Sequence, residues 1–194
     1  METLLGIAIG IGLSAACGFR IFVPLLIMNL MALGGYIHLS PGFIWIGSHY
    51  ATMAFATATI LEVVGYYVPW MDHLLDIAAT PIAIIAGTIV TASMVVDLPP
   101  FLKWTLSLIA GGGMAGLIQG STSTLRLKSS LSTAGAANPV ISTLELVGST
   151  VTALLAILAP IFCLILIGLF CFFVLWKVGK FIFRRMKTPN PTGE

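Results

Sequence analysis

Arg20, Glu62 and Glu145 are ionisable residues set inside runs of sequence that otherwise belong in lipid. Their types suit ion pairing, proton carriage or the binding of a small ion. At mid-bilayer a charge costs at least roughly 2.5–3.5 kcal/mol, so one kept there pairs with another or lines a polar path. A carboxylate out of water can carry a proton or ligate a cation. A guanidinium presents a planar fork that matches phosphate or carboxylate, and Gly18 beside Arg20 would let backbone N–H groups approach the same ligand. Plain structural readings stand beside these. Either glutamate could cap a helix or pair with Arg20, and Arg20 could salt-bridge Glu62 or snorkel from a helix end.

A second group is Asp72, His73 and Asp76. In a helix the aspartates, four residues apart, would share a face. The pattern suits a metal or proton site, or an interfacial cap for the span that follows. Arg126 and Lys128 follow a Gly/Ser/Thr-rich stretch and read as loop charges or as part of an anion-binding loop, and Asn138-Pro139 opens a helix. Cys17, Cys163 and Cys171 lie in apolar runs without metal-ligand spacing and read as small buried hydrophobes. No nucleophile–base pair, zinc motif or phosphate loop is evident. The expectation is a protein that is not an enzyme, with no metal and no cofactor.

The elements that must position these residues follow from composition. The 194-residue chain is 58% hydrophobic and 8% charged, with a mean hydropathy of +1.07. Its long apolar runs suit helices crossing a bilayer, which need about 20 residues each, and lipid demands that backbone groups be satisfied internally. This predicts an all-α membrane protein: a single transmembrane domain over 1–188 with about six spans, and a basic tail over 179–194. The spans fall at 4–33 (one tilted helix, or one broken near Pro24), 49–68, 77–96, 101–119, 139–159 and 161–178. Residues 34–48 form a loop or short re-entrant segment, 120–138 a polar loop, and Asp97-Leu98-Pro99-Pro100 a tight turn.

Charge sets the expected orientation. Lys177, Lys180, Arg184, Arg185 and Lys187 lie at the C-terminal end, whereas 34–48 and 97–101 hold no Lys or Arg. The positive-inside rule then places the tail, the Arg126/Lys128 loop and the 69–76 link in the cytoplasm. Six spans would put both termini there. Glu2 stands where a signal peptide would carry positive charge, so 4–33 is expected to be retained structure. Nothing resembles a surface for nucleic acid.

Leu61-Glu62-Val63-Val64-Gly65 resembles Leu144-Glu145-Leu146-Val147-Gly148, and each follows a segment running from glycine to arginine, Gly12 to Arg20 and Gly116 to Arg126. Two repeats, about 4–96 and 101–178, each of three spans, would enter the membrane in opposite senses, as in many transporters.

The run Gly12-Leu13-Ser14-Ala15-Ala16-Cys17-Gly18-Phe19-Arg20, the Leu61-Glu62 pair, the Pro-x-x-Asp-x-x-x-Asp spacing of 69–76, and Asn138-Pro139 with Glu145 together resemble the bacterial integral-membrane family catalogued as domain of unknown function 4126. The resemblance covers most of 4–160. It implies an integral-membrane topology in a bacterial inner membrane and draws attention to Arg20, Glu62, Asp72, Asp76 and Glu145. It implies no substrate. The resulting expectation is a small transporter or channel-like protein for a small ion or anionic solute, possible proton coupling included, working as a homodimer in the lipid bilayer. A non-transporting scaffold, assembly or lipid-handling protein is the alternative.

Overall fold

The computed structural model describes residues 2–133 and 136–186. Among them there are helices and turns but no strand. The α-helices are α1 (Glu2–Phe19), α2 (Phe22–Leu33), α3 (His49–Gly65), α4 (Pro69–Met94), α5 (Pro100–Leu106), α6 (Gly113–Thr133), α7 (Asn138–Leu158) and α8 (Pro160–Met186). A 3-10 turn, Pro41–Gly47, precedes α3, and a π-helical turn, Ser107–Gly112, joins α5 to α6 without a break.

Among the described residues four stretches are long and apolar enough to cross a membrane: Leu75–Met94, Pro100–Thr133, Asn138–Leu158 and Pro160–Lys177. The sequence suggested six. The difference lies at the N-terminal side, where α1 and α2 are two short apolar helices and α3 has 17 residues, all under the span length of about 20.

Residues 4–33 do not run straight. Thr3 Oγ1 lies 3.4 Å from Asp97 Oδ2, and Ser14 Oγ donates to Gly87 O at 2.6 Å, so α1 descends antiparallel along α4. The chain then turns at Arg20–Ile21, and α2 climbs back. Met28 Sδ accepts from Ser93 Oγ at 3.5 Å, and Ser40 N–H donates to Ser93 O at 2.8 Å. The first helices thus form a hairpin that starts and finishes at the Asp97 end of α4, with its tip toward the Asp76 end. Pro24 is not the break. It sits in the first turn of α2, where its missing N–H has no helical partner to lose.

α1 is the centre of the bundle. Beyond its exposed first turn it is covered on every side, as an almost uniformly apolar helix requires: Leu13, Ser14, Ala15, Ala16 and Cys17 are fully covered. Small residues let its neighbours approach closely. A Cβ on Gly18 would lie 2.4 Å from Ile118 Cβ of α6. α7 runs antiparallel to α1, with Ala156 against Gly12, Ser149 against Ala16 O and Ser142 against Arg20. α8 runs parallel to α1, from Cys163 beside Gly12 toward Cys171 beside Met114. The described part of the chain therefore begins at the Asp97 end and finishes at the Asp76 end. Six straight spans would have brought both termini to one end.

The predicted polar loop 120–138 is largely helix, since α6 continues to Thr133. Ser121, Thr124, Ser132 and Thr133 donate to carbonyls four residues back, so these hydroxyls are satisfied within the helix. The 69–76 link is likewise the start of α4, with Pro69 in its first turn.

Candidate charge centre at the hairpin tip

The turn between α1 and α2 places Arg20 where α3, α4, α6 and α7 converge. Its guanidinium is 1% exposed. Nη2 donates to Ser142 Oγ at 2.7 Å and to Ser142 O at 3.0 Å, and stands 3.8 Å from Glu145 Oε2. Nε and Nη1 are buried without a partner.

Glu62 projects from α3 onto the first turn of α2. Ile21 N–H donates to its Oε1 at 2.8 Å and Phe22 N–H to its Oε2 at 3.1 Å. The first N–H groups of a helix have no partner within it, and the helix dipole favours an anion there. Glu62 is thus a cap supplied by another helix. The expected Arg20–Glu62 salt bridge is absent: Arg20 pairs with Glu145, and Glu62 is held by backbone.

Arg126 departs from its loop reading as well. Placed inside α6, it is buried, donating from Nε to Glu145 Oε1 at 3.0 Å and from Nη2 to Oε2. This is the bidentate geometry in which Arg exceeds Lys. Its Nη1 lies 3.2 Å from Asp76 Oδ1. Tyr66, at the C-terminal end of α3, carries both guanidiniums near its ring: the central carbons of Arg20 and Arg126 lie 3.9 and 4.0 Å from the ring centroid. Stacking of this kind is worth about 2 kcal/mol or more when the cation is desolvated.

Of the residues singled out by sequence, the structure brings together Arg20, Glu62, Asp76, Arg126 and Glu145, with Gly18 in the close α1–α6 contact. Asn138 lies apart, its Nδ2 donating to Ser130 Oγ at 3.0 Å between the ends of α6 and α7. Asp72 and His73 belong to α4, and their side chains lie outside the described residues. Lys128 is exposed. Sequence reasoning missed Tyr66 and Ser142. The signal for Tyr66 was its place four residues after Glu62, one helical turn on and on the same face; Ser142, three before Glu145, stands in the same relation to that glutamate.

The internal match does not carry the same local structure in both copies. The Gly12–Arg20 segment ends at a helix break, whereas Gly116–Arg126 lies in unbroken helix. Both α1 and α6 run antiparallel to α4, with Gly10 and Gly111 each against Thr91, so these two segments point the same way.

Four apolar stretches of membrane-crossing length, packed around a buried cluster of charges, are the features of a helical membrane protein with a polar centre. A family model described as a domain of unknown function, DUF4126, matches residues 7–180, and the chain belongs to that family. No curated protein and no solved structure matches it.

Proposed function

We propose that this is a small polytopic transporter or channel-like protein of the bacterial inner membrane, handling a small ion or anionic solute at the hairpin tip. The observation that carries the reading is Arg20: a fully buried guanidinium whose Nε and Nη1 donors remain unused. Unused donors suit an oxyanion or a hydrated ion. Discontinuous helices with their termini at such a centre are a recurring transporter device. Glu62 would act by holding the tip closed, since its two oxygens tie α2 to α3.

In this reading the Asp76 end, which carries Lys128, Lys177 and Lys180, faces the cytoplasm, and the N-terminus lies on the other side. The hairpin re-enters the membrane, and α3, at 17 residues the shortest crossing, joins the four longer apolar stretches to make five. Residual symmetry between α3–α4 and α7–α8, which run in opposite senses, keeps an inverted-repeat origin open to test. A homodimer would give so slender a bundle an enclosed path.

A second reading is a non-transporting scaffold or lipid-handling protein. It is favoured by Glu62 and Glu145, whose oxygens are already engaged by protein donors, as in a lock that fixes packing. Reconstitution separates the two. Proteoliposomes of the wild type, Arg20→Lys and Glu62→Gln are compared for proton, cation and anion flux. Transport predicts flux above empty vesicles that both variants lower at least tenfold. Flux no greater than that of empty vesicles in all three would leave only the lock, and flux above it that neither variant lowers would place the path away from Arg20.

A further inference from the structure

α8 carries two features that the charge centre does not use. The first is an apolar cavity of about 150 Å³ between α8 and the bundle, walled by Ala15 and Phe19 of α1, Ile118 of α6, Leu155 of α7, and Cys163 and Phe170 of α8. Phe170 and the neighbouring Leu166 are 40% and 44% exposed, so the cavity opens sideways onto the face that a bilayer would cover. An apolar pocket of this size, open toward lipid, suits an apolar guest.

The second feature lies farther along the same helix. Lys177 Nζ sits 5.1 Å over the Phe173 ring and Lys180 Nζ 5.2 Å over the Trp176 ring, and both lysines are exposed. Cys163, Phe170 and Lys177 recur every seven residues, which keeps them close to one helix face. From Phe170 to Lys177 is about 10 Å along the axis, a distance that part of an acyl chain spans.

We propose that this face of α8 is a binding site for one anionic phospholipid. An acyl chain fills the cavity beside Phe170, and the phosphate meets Lys177 and Lys180 at the level where Trp176 favours the membrane–water interface. Charge complementarity selects the headgroup: these are cations clustered at the end of a span, with no acidic residue between Pro160 and Met186. The site does not depend on transport.

The test is native mass spectrometry of the full chain, titrated with phosphatidylglycerol and separately with phosphatidylcholine. The wild type should retain phosphatidylglycerol preferentially. Lys177→Gln/Lys180→Gln should lower that preference about thirtyfold, since roughly 1 kcal/mol per basic residue at the surface is about fivefold for each of the two lysines, while leaving phosphatidylcholine binding unchanged. Cys163→Phe, which fills the cavity, should weaken both lipids alike. Retention of the preference in the double variant, or unchanged lipid binding in Cys163→Phe with its melting temperature preserved, would overturn the proposal. If Cys163→Phe does not fold, Leu166→Ala, which widens the outer wall, replaces it and should alter the binding of both lipids; no change would count against the site.

Discussion

Glu145→Gln neutralises the hub of the charge centre while keeping its shape. Arg126 donates to both Glu145 oxygens, and Arg20 Nη2 stands 3.8 Å from Oε2. All three side chains are buried. Removing one partner of a buried pair costs about 3–5 kcal/mol, because the charge left behind is uncompensated. Asp76, 3.2 Å from Arg126 and 21% exposed, offsets part of the loss. Arg20 keeps only the neutral Ser142 as a hydrogen-bond acceptor, which works in the other direction, so that about 3 kcal/mol is the least expected cost. At roughly 2–4 °C per kcal/mol for a chain of this size, Glu145→Gln should melt about 6–12 °C below the wild type. Arg126→Met should cost a similar amount. The double variant should cost less than the sum, with a coupling of about 0.5–3 kcal/mol as expected for contacting residues. The assay is a tryptophan-fluorescence melt of the purified protein in detergent. A melting temperature for Glu145→Gln within about 2 °C of the wild type, or strict additivity in the double variant, would refute the reasoning.

Further outcomes follow from single contacts. Gly18→Ala puts a Cβ 2.4 Å from Ile118 Cβ and 2.7 Å from Ala115 O, and such overpacking should cost about 1–3 kcal/mol. Gly113→Ala, with nothing within 4 Å, should be neutral or stabilising in the same melt. Tyr66→Phe should keep most of the stability and Tyr66→Leu should lose about 2 kcal/mol, since the ring face and not the hydroxyl meets the guanidiniums; equal losses would point to the hydroxyl. Impermeant labels should reach a tag before residue 2 and a tag after residue 186 from opposite faces of sealed vesicles. Labelling from one face would restore an even number of crossings.

Much of the class and part of the centre were legible in sequence. The apolar runs gave the helix at 138–158 and the start of the one at 160–186 to within a residue, although the latter continues eight residues past the expected 178, because long uncharged stretches leave lipid-spanning helix as the sole economical fold. Arg20, Glu62 and Glu145 stood out because charge is rare in such surroundings. Their partners did not. Pairing depends on which helices meet, and hydropathy carries no information on that. The 30-residue run from 4 to 33 has the composition of one long span, yet the fold spends it on two antiparallel halves. Arg126 was hidden by its Ser- and Thr-rich context, which reads as loop until those hydroxyls are seen to bond backward along the helix.

The hairpin is the claim on which the charge centre rests, and proximity at its two ends tests it most directly. In a background lacking the native cysteines, Thr3→Cys is paired with Asp97→Cys, and separately Met28→Cys with Ser93→Cys, under a short bifunctional maleimide. Both pairs should cross-link within one chain, because residues 3 and 28 lie at the same end of α4. In a straight span those two residues would stand about 37 Å apart at 1.5 Å per residue, and a cross-link in only one of the two pairs would contradict the account.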